Sequence, residues 1–218
     1  MSQEIQLYSL GTPNGQKISI ALEEMEIPYK PHKVDISKGE QFLPDFVKIN
    51  PNSKIPAIVD PNGPDGKPIS IFESGAILIY LAEKSGMFLP KDLRLRSEVL
   101  QWLFFQVSGV GPMFGQFGHF HKWAKEKCDH PYPIERYATE AKRILKVLDT
   151  RLEARKFLVG EQYSIADMAT APWIDCVKVF YKGEEKLEIH KFTNVNRWAN
   201  EVLSRPKTIK GMKLFTSS

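Results

Sequence analysis

Ile55-Pro-Ala-Ile-Val-Asp60, the loop Pro61-Asn-Gly-Pro-Asp-Gly-Lys-Pro68, Ile69-Ser-Ile-Phe72 and Glu73-Ser-Gly75 follow one another without interruption. The two β-rich runs are short, and the loop between them is dense in turn formers, so the stretch predicts an antiparallel hairpin. Glu73-Ser-Gly then opens a helix through about Lys84. Upstream, Gln6-Leu-Tyr-Ser9 reads as a strand that ends in the breaker-rich Leu10-Gly-Thr-Pro-Asn-Gly15. A helix follows, because Ile18, Ala21, Leu22 and Met25 fall at i, i+3, i+4, i+7, and Pro28 stops it. A second strand over 29–34 and a short helix around 41–49 complete the order β-α-β-α-β-β-α. Parallel pairing in the first half and a hairpin in the second predict a mixed four-stranded sheet with helices on its faces.

Beyond a linker at 87–93 no strand pattern recurs. Leu100, Leu103, Phe104 and Val107 form one helical stripe, and Ala141, Ile144, Leu145, Leu148 and Leu152 a cleaner one. Ser164-Ile-Ala-Asp167 is a capping-box start. Ala169, Trp173, Cys176 and Phe180 continue one face from there, with a kink expected at Pro172. The expected architecture is an α/β domain over 1–86 and an all-α domain over 94–218.

A chain of 218 residues with 42% hydrophobic and 26% charged residues has an ordinary globular composition. Its net charge of +4 is dispersed, with no basic stretch interleaved with aromatics, so no nucleic-acid partner is expected. The longest apolar run, 76–82, is far below the ~20 residues of a membrane span, and the first residues carry no signal-peptide pattern. Two well-separated cysteines, Cys128 and Cys176, suit a reducing compartment, and a cytoplasmic protein is expected. Cys176 lies on an apolar face as an inert core residue, and Cys128 lies in a polar segment. His119, His121, Cys128 and His130 match no usual zinc spacing, so no metal is expected.

The turn Thr12-Pro-Asn-Gly15 stands where a strand runs into a helix N-terminus, with unpaired N–H groups and the positive end of the helix dipole. Thr12 and Pro13 are also an ordinary helix cap and first residue, and Ser74 an ordinary cap. A thioredoxin-type domain carries its reactive cysteine at this turn; here there is none.

Thr12-Pro-Asn-Gly-Gln-Lys17, Gly39-Glu-Gln-Phe42, Asn50-Pro-Asn-Ser-Lys-Ile-Pro-Ala-Ile-Val-Asp60 and Phe72-Glu-Ser-Gly-Ala-Ile-Leu78 carry a resemblance. Leu100-Gln-Trp-Leu-Phe-Phe-Gln-Val107, Ile134-Glu-Arg-Tyr137 and Ser164-Ile-Ala-Asp167 extend it. Over essentially its whole length the chain resembles a glutathione transferase, and within that family the bacterial nu-class enzymes and the fungal nitrogen-regulator (prion) relative.

The resemblance implies a thioredoxin-like first domain, a cis peptide before Pro56, and a homodimer binding glutathione or its disulfide. It places the backbone of Ile55 beside the cysteinyl part of the ligand, as in strand addition. Glu73 and Ser74 would hold the γ-glutamyl ammonium and carboxylate. Lys54 and Gln41 would meet the glycyl carboxylate or nearby backbone, and Arg136 would reach in from the helical domain. Phe114, Phe117 and Trp173 would line an acceptor pocket.

Lowering a thiol from ~8.5 to ~6.5 takes ~2.7 kcal/mol of preferential stabilisation of the thiolate. A helix terminus supplies ~0.3–1 kcal/mol, at most ~2, and a charge-assisted hydrogen bond ~1.5–3 kcal/mol. A direct donor is therefore needed; Asn14 is the first candidate and Thr12 the second. The classes that place Tyr or Ser at this turn are not matched, since Tyr8 and Ser9 lie on the strand. The implied activity is glutathione-dependent reduction of disulfides, with peroxides a further substrate class. The alternatives are glutathione conjugation to electrophiles and a non-catalytic glutathione-binding regulatory module.

Overall fold

The computed structural model describes residues 4–124 and 126–215. Four strands, β1 (Ile5–Ser9), β2 (Tyr29–Lys33), β3 (Ala57–Asp60) and β4 (Ile69–Phe72), form one sheet in the order β2-β1-β3-β4. β1 runs parallel to β2 and antiparallel to β3, and β3 is antiparallel to β4 with Ala57 opposite Phe72. The parallel pair needs a crossover, which α1 (Pro13–Glu24) supplies; the hairpin needs only its turn-rich loop. With α2 (Pro44–Ile49) and α3 (Ser74–Ser85) the element order and the mixed sheet are those the sequence predicts. The helix expected around 41–49 divides into a 3-10 turn at Glu40–Phe42 and α2. Pro44 is the reason: lacking an N–H, it is suited to start a helix rather than continue one.

Side-chain alternation on β1 buries Ile5 and Leu7, and α1 turns Ile18, Ala21, Leu22 and Met25 inward. Buried Asp60 at the end of β3 accepts from the Tyr80 hydroxyl at 2.6 Å and the Asn62 amide at 2.9 Å, and pairs with Lys84 at 2.8 Å. These contacts tie the hairpin to α3 and so help fix the start of α3, where Ser74 stands.

The chain divides into two compact units, Met1–Leu89 with Arg205–Ser218, and Pro90–Ser204. The helical unit therefore ends at Ser204, whereas the sequence extends it to 218. The cause is α10 (Pro206–Lys213), which returns to α1. Arg205 grips buried Glu24 through Nε and Nη2, both at 2.8 Å, and Thr208 Oγ1 donates to the same carboxylate at 3.0 Å. Ser19 Oγ donates to the Gly211 carbonyl at 2.8 Å, and a Cβ on Gly211 would stand 2.6 Å from the Ile20 nitrogen.

The second unit contains α4 (Leu93–Phe105), α5 (Gly111–Gly118), α6 (Pro131–Arg151), α7 (Ile165–Asp175), α8 (Glu184–Leu187) and α9 (Thr193–Leu203). π-helical turns at Gln106–Val110, His119–Trp123 and Cys176–Phe180 follow α4, α5 and α7. The α6 stripe is buried as expected. Along α4 and the π-turn that follows it the inward face is Val99, Leu103, Gln106 and Val110, while Phe104 is exposed. A polar side chain in the buried row hides that register from a hydrophobic pattern. Phe180 is also exposed, because the π-turn adds a residue per turn and rotates the face away from Trp173 and Cys176.

Ser164 and Asp167 form the predicted capping box. Asp167, fully buried, also accepts from the Leu158 amide at 2.9 Å and Trp198 Nε1 at 2.8 Å. No described helix is long and apolar enough to cross a membrane.

Candidate functional site

The β1–α1 turn is tight. A Cβ on Gly15 would lie 2.1 Å from the Leu10 carbonyl oxygen and 2.4 Å from Ser9 Oγ, so this position must be glycine. Thr12 is the N-cap of α1; its Oγ1 accepts from the Gly15 amide at 3.3 Å, which leaves the hydroxyl proton available to donate. Asn14, in the first turn, faces a cleft of about 180 Å³ shared with Asn50, Asn52, Lys54, Ile55, Pro56, Glu73 and Ser74.

The opposite wall is the loop into β3. Asn50 is buried; its Nδ2 donates to the Lys54 carbonyl at 2.6 Å, and its Oδ1 accepts from the Asn52 amide at 2.9 Å. Ser53 takes a left-handed φ of 54° within this loop, and the Ile55–Pro56 peptide is cis. One asparagine side chain thus holds the loop that carries Lys54 and Ile55 to the cleft.

The floor is the start of α3. Glu73 precedes the helix at φ 67°, ψ 115°, a conformation that costs a non-glycine residue about 1–3 kcal/mol. Next to it buried Ser74 accepts from Lys17 Nζ at 3.1 Å. Lys17 is only 1% exposed, and burial pushes its amine down to about 7 while the Glu73 carboxylate pulls the other way.

Six of the expected site residues, Asn14, Lys54, Ile55, Pro56, Glu73 and Ser74, therefore line one cleft, with Thr12 two residues back in the same turn. Gln41 is not among the lining residues; it sits in the 3-10 turn and its Nε2 donates back to the Ile36 carbonyl at 3.4 Å. Arg136 stands exposed on α6 of the helical unit. Phe114, Phe117 and Trp173 do not line an open pocket in that unit: all three are buried in its core, the first two on the inward row continued from α4. Cys176 is buried, which raises its thiol to about 11, and Cys128 is half-buried. Among the described residues no group of three or more His, Cys, Asp or Glu converges to hold a metal ion.

Two side chains escaped the sequence reading. Asn50 and Lys17 both fall inside the stretches that carry the family resemblance, yet neither residue type announces its task. For Lys17 the available signal was position: it adjoins Ile18 and lies one turn before Ala21, on the buried side of α1.

The chemistry of the cleft is that of a zwitterion site. Glu73 offers an anionic group and Lys54 a cationic one, the starts of α1 and α3 add unpaired amides, and Lys17 stands buried behind Ser74.

Residues 3–83 match the glutathione S-transferase N-terminal domain and residues 134–206 the C-terminal domain. The disulfide-bond oxidoreductase YfcG of Escherichia coli (strain K12) is 49% identical over 205 residues, covering 94% of this chain and 92% of its own. A glutathione transferase crystal structure from Burkholderia graminis, with two glutathione molecules bound per subunit, superposes with a TM-score of 0.97 at 50% identity. The match covers 99% of this chain and 90% of that one. One from Pseudomonas putida, with one glutathione disulfide per subunit, gives 0.95 at 47% identity, covering 97% and 92%. The chain belongs to the glutathione S-transferase family.

Proposed function

We propose that this protein reduces disulfides with bound glutathione as the nucleophile, using no cysteine of its own. The observation that carries this reading is a cysteine-free helix start, Thr12-Pro13-Asn14-Gly15, facing a cleft lined by Glu73, Ser74 and Lys54, with Lys17 buried behind Ser74. Glutathione presents the complementary set: one ammonium and two carboxylates. Its ammonium pairs with Glu73 and its γ-glutamyl carboxylate with Ser74 at the start of α3. The glycyl carboxylate lies toward Lys54 and Gln41, and the cysteinyl backbone runs beside Ile55, next to Pro56.

That placement brings the sulfur to the start of α1. The Asn14 amide, with Thr12 as second donor, stabilises the thiolate by about 1.5–3 kcal/mol, and the helix terminus adds up to ~1. The thiolate attacks one sulfur of a disulfide, a mixed disulfide forms, and the other half leaves as thiolate. A second glutathione thiolate then attacks the glutathione sulfur of the mixed disulfide, forming glutathione disulfide and releasing the remaining half of the substrate as thiolate. The relative named a disulfide-bond oxidoreductase and the neighbours holding two glutathiones or one glutathione disulfide support this two-step use of one site.

The protein is further read as a cytoplasmic homodimer; gel filtration at the monomer mass contradicts the dimer. The test of function sets a small disulfide, coupled to glutathione reductase and NADPH, against an aromatic chloride. Dominant disulfide turnover supports the proposal. Dominant conjugation makes the protein a conjugating transferase, and silence in both with glutathione bound makes it a regulatory module.

A further inference from the structure

Lys17 bridges the two helix starts that flank the cleft: it lies on the second turn of α1, and its Nζ donates to Ser74 Oγ at 3.1 Å. Its surroundings leave it few charges to answer to. From α3, Glu73 is the carboxylate whose field reaches it. At the N-cap of α10 Arg205, and along the helix Lys207 and Lys210, are held by Glu24, Glu26 and Glu23 respectively, and Lys213 ends that helix. On β3, Asp60 is held by Lys84 and Tyr80.

Donor counting gives this contact a direction. An ammonium has three donors and no acceptor, so charged Lys17 makes Ser74 Oγ an acceptor on its inner side and turns the hydroxyl proton outward to the cleft. A neutral amine carries a lone pair, and Ser74 can then donate inward and offer the cleft only an acceptor. A carboxylate seated over Ser74 needs the first arrangement.

We propose that Lys17 is a positioning residue that acts through Ser74, and that seating the γ-glutamyl carboxylate is coupled to uptake of one proton from solvent by Lys17. The inference rests on the glutathione reading above. The buried amine, held at about 7, lies where a neighbouring anion shifts it across neutral pH.

S-methylglutathione is the probe, because it keeps both carboxylates and the ammonium and removes the thiol's own ionisation. Titration calorimetry in two buffers of different ionisation enthalpy gives the protons taken up on binding. The expected uptake is a large fraction of a proton at pH 7.5 and falls toward zero at pH 6, where Lys17 is already charged. Lys17→Met abolishes the uptake at both pH values and weakens binding about tenfold or more. Binding by the unaltered protein without uptake at pH 7.5 overturns the proposal, as does unchanged uptake in Lys17→Met. If that variant fails to fold, the loss of uptake between pH 7.5 and 6 in the unaltered protein decides. No binding of the probe at all overturns the glutathione reading and this inference with it.

Discussion

The side chain of Asn50 donates to the Lys54 carbonyl at 2.6 Å and so closes the loop that delivers Lys54 and Ile55 to the cleft. Truncating it removes this bond and the one from the Asn52 amide, and leaves backbone groups of a partly enclosed loop without their partner. Asn50→Ala is expected to cost about 1–3 kcal/mol in denaturant unfolding. Glutathione affinity falls as well, because the loop no longer holds its shape. A KM for glutathione equal to that of the unaltered protein contradicts the assigned role.

At Glu73 stability and binding pull apart. Its φ of 67° is unfavourable for any residue with a Cβ and free for glycine, while its carboxylate is the anionic group of the cleft. Glu73→Gly is expected to be about 1 kcal/mol more stable than Glu73→Ala. Both lose glutathione affinity. Thermal melts of the two variants side by side check the first statement, and calorimetry the second.

The α1–α10 clamp predicts a loss of stability without a loss of site chemistry. Arg205→Ala leaves the Glu24 carboxylate buried without its bidentate partner and is expected to cost about 3 kcal/mol. Gly211→Val drives a side chain into the α1 backbone and costs about 1–3 kcal/mol. Urea midpoints fall in both, and the KM for glutathione measured on the folded protein stays unchanged.

Asp60 sets a pH dependence. Burial raises its pKa, but the hydrogen bonds from Lys84, Tyr80 and the Asn62 amide outweigh that and hold the carboxyl below the usual range. A depressed folded-state pKa contributes stability above the unfolded value, ~3.9, and that contribution is lost as pH falls through the folded-state value. The stability gap between the unaltered protein and Asp60→Asn is therefore expected to narrow below about pH 4. A gap that stays constant down to pH 2.5 contradicts the assignment.

What the sequence made legible was local. The β3–β4 hairpin, the Thr12-Pro13 start of α1, the α6 stripe and the Ser164–Asp167 box each depend on neighbours a few residues apart. What it concealed depends on distance or on an exception to pattern. The return of α10 hangs on Arg205 meeting Glu24 across 181 residues, and the burial of Lys17 on Ser74 across 57. Gln106 occupies a core position that the hydrophobic pattern assigns to an apolar residue, which hides the inward register at the end of α4 and leaves Phe104 exposed. The cleft residues were named through family resemblance. Their convergence could not be counted from spacing, since three separate segments supply them.

The most direct test of the account is glutathione-dependent disulfide turnover in the Cys128→Ser/Cys176→Ala double variant, measured beside Asn14→Ala. With bound glutathione as the only nucleophile, the double variant keeps turnover within about twofold of the unaltered protein, while Asn14→Ala loses about tenfold or more. Turnover lost in a folded double variant, or kept in Asn14→Ala, contradicts it.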